Sequence, residues 1–294
     1  MTHVVYGALY EKPGLLEGWL AEDQMETNRR MLEHCLDALE DHPLEHFSLL
    51  QGTKAYGAHV MRMRIPGRER EPRVEHPNFY WLQEDLLRER AAARGFAWTI
   101  WRPPVIFGHA LGAPMNPLAA LGAYAAVCRE TGEPFGFPGG ACGPIDAIDA
   151  RLLARAFDWA MDEDRARNAI FNVANGDILH WPDLWPALAD AFGLPAADPT
   201  PRRLAEWVPE RADAWERSRQ RNELKAPELG AFVGDSLIYV DMLMGQGLEA
   251  PPPPTQLSTI AVRKAGFTDC IDSEDMLREW IARLQAERIL PPAA

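Results

Sequence analysis

Asn78-Phe79-Tyr80-Trp81-Leu82-Gln83-Glu84-Asp85 is the stretch from which the rest of the chain can be read. It sets a tyrosine, with aromatic neighbours, at the start of a helix that continues through Leu86, Leu87 and Arg88-Glu89-Arg90 to Ala93. A strand, Ala97-Trp98-Thr99-Ile100-Trp101, follows and is closed by Arg102-Pro103-Pro104. Upstream, the strand-like run His46-Phe47-Ser48-Leu49-Leu50 ends in Gln51-Gly52-Thr53-Lys54. The expectation from this layout is that Tyr80 and Lys54 meet.

Working outward, Thr2-His3-Val4-Val5-Tyr6-Gly7-Ala8 reads as a buried strand, of the kind found inside parallel sheets. A sheet that began there would have a long adhesive edge, so either the edge is covered or an N-terminal part is lacking. A loop with Pro13 and Gly14 leads to a helix over Asp23 to Leu39, with Met25, Met31, Leu32, Cys35, Leu36 and Leu39 at helical spacing. Met61 to His76 has no period and reads as a surface loop. Beyond the central helix and strand come a Gly/Pro loop (107–117), an apolar helix (Leu118 to Cys128), an amphipathic helix (Ile145 to Ala160), a strand near 169–174 and a helix from Trp181 to Phe192. Residues 203–247 read as mostly helical, Pro251 to Pro254 as polyproline II, and a last helix starts at Asp272 or Ser273. Strands alternating with helices predict an α/β fold with a doubly wound parallel sheet. The expected organisation is a core of 1–108 plus 145–194, with strands near 3–8, 46–50, 97–101 and 169–174, and a mainly helical substrate-binding cap and C-terminal region over 109–144 and 195–294.

The 294 residues, 47% of them hydrophobic, suffice for such a core. With 30 basic against 43 acidic residues the formal charge is −13, which argues against nucleic acid as a partner. Cys35, Cys128, Cys142 and Cys270 form no CxxC, and no secretory leader is evident, so reduced thiols in the cytoplasm are expected. No apolar run reaches the ~18 residues of a membrane span. The histidines show no metal-ligand spacing, so no metal is expected.

Tyrosine, with an ordinary pKa near ~10, is a slow acid at neutral pH, and a lysine ammonium within hydrogen-bonding reach stabilises its phenolate. Tyr80 and Lys54 lie 26 residues apart, and Lys54 follows a strand whose carboxyl end would line the crevice of an open parallel sheet. On these residues alone, a packed surface aromatic explains Tyr80 as well. Trp81, Trp98 and Trp101 fit either a cofactor or substrate wall or core packing. No phosphate-binding glycine loop is present: Gly136, Gly139, Gly140 and Gly143 do not join a buried strand to a helix.

At this point the chain resembles the progesterone 5β-reductase and iridoid synthase branch of the extended short-chain dehydrogenase/reductases, bacterial members included. The stretch from Asn78 to Asp85 is similar to that family's Asn-Phe-Tyr-Tyr-x-x-Glu-Asp, and Gln51-Gly52-Thr53-Lys54-Ala55-Tyr56 to its Thr-Gly-x-Lys-x-Tyr. Arg102 to Gly108, Ala123 to Cys128 and Phe171 to Asp177 add to the resemblance, which runs from Thr2 to about Pro291. In most short-chain dehydrogenases the lysine lies four residues after the tyrosine; here Glu84 stands there, and Lys54 takes the role. Trp81 replaces the motif's second tyrosine.

The resemblance implies a Rossmann-type fold and an NADPH-dependent reductase of activated C=C (enone or enal) or carbonyl substrates. Tyr80 and Lys54 are its expected catalytic pair. Tyr6, Gly7, Ser48, Lys54, Tyr80, Pro104, Val105 and Ile106 are expected at the cofactor, and Trp81, Phe107, Met115 and Tyr124 at a small-molecule substrate. A homodimer is compatible with it. The family's opening strand, glycine-rich turn and helix have no counterpart, so relative to that pattern the chain reads as N-terminally truncated by about one mononucleotide-binding half-unit, and NADPH affinity is expected to be weak or lost. Two other readings stay open: a non-catalytic binding protein of the same fold, and a nucleotide-sugar epimerase or dehydratase, against which Glu84 counts.

Overall fold

The structure is a computed structural model that describes residues 1–13 and 15–293. Gly14, part of the loop expected after the first strand, lies outside the described residues. The chain forms two compact units: Met1–Val105 with Asp146–Gly176 and Pro254–Cys270, and Ile106–Ile145 with Asp177–Pro253 and Ile271–Ala294. Compared with the division expected from sequence, the helix beginning at Trp181 goes with the second unit and residues 254–270 go with the first.

The first unit is built on four parallel strands: β1 (His3–Tyr6), β2 (His46–Leu50), β3 (Ala97–Arg102) and β4 (Ala169–Asn172), in spatial order β1-β2-β3-β4. β3 is buried along its whole length, as a strand covered on both faces must be. At β1, Tyr6 turns inward while Val5 is 40% exposed. Helices α1 (Glu22–Ala38) and α2 (Phe79–Arg94) lie side by side against one face of the sheet. Their contact buries Leu32 and Leu36 of α1 and Leu87 and Ala91 of α2 against Phe47, Leu49, Trp98 and Ile100. α2 ends where Gly95 takes φ 79°, a left-handed value that glycine adopts without strain.

The stretch Met61 to His76 is a largely exposed loop, as expected, and is anchored at a few points. Met63 is buried with Tyr56 and Leu257, and Gly67 exchanges backbone hydrogen bonds with Gln256 and Ser258. The charges that hid its role from a hydrophobicity reading are themselves partnered: Glu69 accepts from the Asn172 backbone at 2.9 Å, and Arg73 reaches α2.

In the second unit, α3 (Pro117–Thr131) is buried at every position from Pro117 to Cys128 and is surrounded by the helices Ala212–Arg221, Leu229–Val233 and Ser236–Leu243. Asn116 caps it, accepting from Leu118 N at 3.1 Å, and Gly122 leaves its bare Cα for Leu290. An all-apolar helix of this kind forms a core. α4 (Trp181–Phe192) packs on the helix Ser273–Ala286. Among the described residues, no helix is long and apolar enough to cross a membrane.

The sheet also buries a histidine. His46 is 1% exposed and donates to Thr99 Oγ1 at 2.9 Å, while that hydroxyl donates to Ala166 O at 2.6 Å. Burial, with His3 and Arg167 nearby, pushes the imidazole from 6.5 to about 4. The unfolded chain therefore takes up a proton near 6.5 that the folded chain refuses until about 4, so stability present above pH 6.5 is lost as pH falls through that window. Urea unfolding at stepped pH should show this loss, up to about 3 kcal/mol for one group. His46→Gln should flatten it; an unchanged slope would assign the acid sensitivity elsewhere.

Candidate active site

The Asn78 and Gln51–Tyr56 motifs and the start of the Arg102 motif, as far as Val105, converge at the carboxyl end of β2 and β3 within the first unit. Asn78 caps α2, and its Oδ1 accepts from Tyr80 N at 3.0 Å. Its Nδ2 donates to Lys54 O at 3.0 Å and lies 3.2 Å from His76 Nε2. His76 Nδ1 lies 3.0 Å from Val74 O, a carbonyl that only accepts, so the proton sits on Nδ1 and Nε2 is free to accept from Asn78. One amide thus fixes the helix turn that bears Tyr80 to the backbone of Lys54.

A second strap runs alongside. Gln51 Nε2 donates to Tyr80 O at 3.2 Å, and Gln51 Oε1 accepts from Arg102 Nε at 3.2 Å, joining the ends of β2 and β3 to α2. Between them lies Gly52, with φ 179°, extended backbone that any residue adopts. What glycine supplies is space: a Cβ there would stand 3.3 Å from the Tyr80 hydroxyl and 3.5 Å from Pro103 O. The phenol oxygen therefore rests against the loop that carries Lys54.

Lys54 sits on the short turn Thr53–Tyr56 with its side chain 16% exposed. Its Nζ lies 3.7 Å from the centre of the Trp19 ring and 4.0 Å from Glu11 Oε2. Burial pushes the ammonium down to about 8, with the Glu11 carboxylate acting the other way. His59 stands edge-on to Trp19 and to His76, at 6.0 and 5.0 Å, and burial with the nearby Lys54 and His76 pushes it to about 4. Trp81 follows, 6.2 Å from His76 and under the guanidinium groups of Arg73 and Arg102, at 5.0 and 5.8 Å.

Glu84, four residues after Tyr80, is 1% exposed and bracketed by Arg88 at 2.9 Å, Arg73 at 3.2 Å and Arg102 at 3.7 Å. It is the centre of a buried charge cluster that anchors Arg102, and through Arg102 the Gln51 strap.

The other expected contacts divide. Gly7 is exposed just beyond β1, and Pro104 and Val105 are half-buried beyond β3. Tyr6 and Ser48 give their side chains to the core: the Tyr6 ring stacks on Phe47 at 6.1 Å and burial pushes its phenol to about 12, while Ser48 Oγ accepts from Trp101 Nε1 at 3.2 Å. Ile106, Phe107, Met115 and Tyr124 belong to the second unit. There Phe107 packs on Trp181 at 6.1 Å, and Tyr124 is fully buried with its hydroxyl donating to Gly136 O at 3.0 Å. Met115 is half-buried before α3. Sequence reasoning passed over Glu11, Trp19, Gln51 and His76; an acidic residue in the loop after a buried strand was the available signal for Glu11, and Trp19 carried none.

The Asn78 clamp can be tested without turnover. Asn78→Ala removes both cap and tie and should cost about 1–2 kcal/mol. Asn78→Asp keeps the capping oxygen but loses the donor. Hydrogen exchange should rise over Gly52–Tyr56 in both variants and over the first turn of α2 only in Asn78→Ala. Equal protection of Gly52–Tyr56 in wild type and Asn78→Asp would remove the clamp from the account.

Comparison with known proteins agrees with the motifs. A family model described as a PRISE-like Rossmann-fold domain matches residues 20–239. An (S)-8-oxocitronellyl enol synthase of Nepeta racemosa is 30% identical over 310 residues, covering 99% of this chain and 74% of its own. One of Camptotheca acuminata is 34% identical over 283 residues, covering 90% and 70%. Among solved structures, RMD from Pseudomonas aeruginosa complexed with NADPH matches with a TM-score of 0.61 at 14% identity, over 97% of this chain and 81% of that one, a likeness of fold alone. With the matched region spanning the clamp, Tyr80, Lys54 and most of both units, the chain belongs to the PRISE-like Rossmann-fold family.

Proposed function

We propose that this protein is a nicotinamide-dependent reductase of activated C=C bonds, in enals or enones, with Tyr80 and Lys54 stabilising the enolate oxygen. The observation that carries the reading is the seating of the Tyr80 hydroxyl against the Gly52–Lys54 loop, held by Asn78 and Gln51. A phenol so placed can donate its proton to a substrate oxygen as negative charge develops there. A nearby ammonium lowers the cost of leaving the phenolate, by about 1.4 kcal/mol per pKa unit. The relatives' printed name, an enol synthase, accords with a reaction that passes through an enolate or enol.

The residues present suit a dinucleotide's nicotinamide end. The carboxyl ends of three adjacent parallel strands deliver Gly7, Gln51–Lys54 and Pro103–Val105, the position at which open parallel sheets bind such ligands. The Lys54 ammonium makes an ion pair and a ring contact but no hydrogen bond among the described residues, leaving its donors for hydroxyl groups. When bound, the cofactor supplies the hydride. The chain's own groups orient the substrate oxygen, deliver the proton from Tyr80 and hold positive charge beside it at Lys54.

The test is substrate-dependent NADPH oxidation by the purified protein with a panel of simple enals and enones, products identified by mass spectrometry. Tyr80→Phe and Lys54→Met should each lower kcat by about 10²-fold or more with binding of the cofactor retained. Saturated aldehyde or ketone products would carry the reading. Turnover of a nucleotide sugar, or reduction undiminished in Tyr80→Phe, would end it; cofactor-free protein inert to every substrate would favour a binding role for the fold.

A further inference from the structure

We propose that Glu11 is the positioning residue of Lys54: its buried carboxylate, held from behind by Gln24, keeps the Lys54 side chain charged and fixed beside the Tyr80 loop. The inference rests on the proposed Tyr80–Lys54 chemistry for its meaning, though not for its test.

The geometry is specific. Glu11 is only 4% exposed in its side chain, yet no hydrogen bond reaches its Oε2, which faces Lys54 Nζ at 4.0 Å. Its Oε1 accepts from Gln24 Nε2 at 2.6 Å. Gln24, itself 1% exposed on α1, uses its Oε1 to accept from Lys12 N at 3.0 Å. The neighbouring Asn28 pins Tyr10 at both backbone polar atoms, accepting from its N and donating to its O at 2.9 Å each. The Tyr10–Lys12 loop is thus held to α1 by two buried amides, and the carboxylate is aimed. Gly18 lies directly on the Gln24 amide, where a Cβ would collide, so the same amide also seats the turn bearing Trp19. Lys54 Nζ is consequently enclosed by a carboxylate from one side and an indole face from the other.

A buried carboxylate with an unbonded oxygen is costly unless a cation faces it, and Lys54 Nζ is the cation at that oxygen. The groups facing Lys54 are Glu11 from the loop after β1, Trp19 from its turn, and His59 from the turn following Lys54 with His76 behind it, while the Tyr80 hydroxyl lies against Gly52 two residues before. Of these, Glu11 alone carries an acidic side chain. Burial without it leaves the lysine neutral over more of the working pH range.

The chain has four lysines, Lys12, Lys54, Lys225 and Lys264. Protein labelled with 13C-lysine therefore gives few ε-methylene signals, and loss of one in Lys54→Met assigns it. In wild type that signal should titrate near pH 8. In Glu11→Gln it should titrate lower by about one pH unit, and Glu11→Asp should restore part of the shift. The alkaline limb of kcat/KM for enal reduction should move with it, while Gln24→Ala should act in the same direction as Glu11→Gln. A Lys54 signal titrating at the wild-type pH in Glu11→Gln overturns the inference. The two readings fail separately: a shifted NMR titration in a protein that reduces no enone rejects the proposed reaction and keeps the Glu11–Lys54 coupling, and an unshifted titration in an active reductase does the reverse.

Discussion

The Asn78 side chain is the point on which the site depends. Parallel pairing of β2 with β3 brings the loop after Leu50 and the Arg102-Pro103-Pro104 turn to one end of the sheet, but strand register alone does not fix the helix that bears Tyr80. Asn78 holds it by satisfying three groups at once: an orphan amide of the helix N-terminus, the Lys54 carbonyl and a histidine ring nitrogen whose tautomer is fixed from its far side. Gln51 repeats the device one step nearer the sheet. Both amides present donor and acceptor in a rigid plane, so each ties two segments together at a set spacing, which a charged side chain of the same length could not do.

Charge in this unit is buried in two separate arrangements with different purposes. Around Glu84, three arginines surround one carboxylate, an excess of cation over anion. Around Lys54 the balance is one to one and the partner stands at 4.0 Å without a hydrogen bond. Removing a member of a buried pair generally costs more than the pair contributes, because the survivor is left uncompensated. The first arrangement fits a structural anchor, and the second fits a cation meant to respond to what is bound beside it.

The parts of the fold that follow from period and burial were legible in the sequence. The strands at 46–50, 97–102 and 169–172 and the helices over 22–38 and 79–94 show in the spacing of apolar residues, because packing against a sheet demands that spacing. Tyr80 and Lys54 were legible as a pair only through motif resemblance. The backbone ties between the turn bearing Tyr80 and the loop bearing Lys54 come from the side-chain amides of Asn78 and Gln51, which leave no periodic trace. The segment 61–76 is a surface loop, as its lack of period implies, but its anchors leave no trace because they are polar: Glu69 on a strand-end amide, Gly67 on the backbone near Leu257, Arg73 on Glu84. Hydropathy cannot distinguish charges paired in this way from charges in water. Tyr124, expected at a substrate, is packed inside the second unit, since an aromatic on a wholly apolar helix carries no sequence mark of which it will be.

Glu84 also bears on how the active-site layout could change over evolutionary time. It occupies the place from which most short-chain dehydrogenases supply their lysine, one turn along the same helix face as Tyr80. A single exchange to lysine there would put a fourth cation among Arg73, Arg88 and Arg102 and leave all three without their common anion. Placing a lysine at position 84 would therefore bring like charges together at a buried position unless the surrounding arginines changed as well.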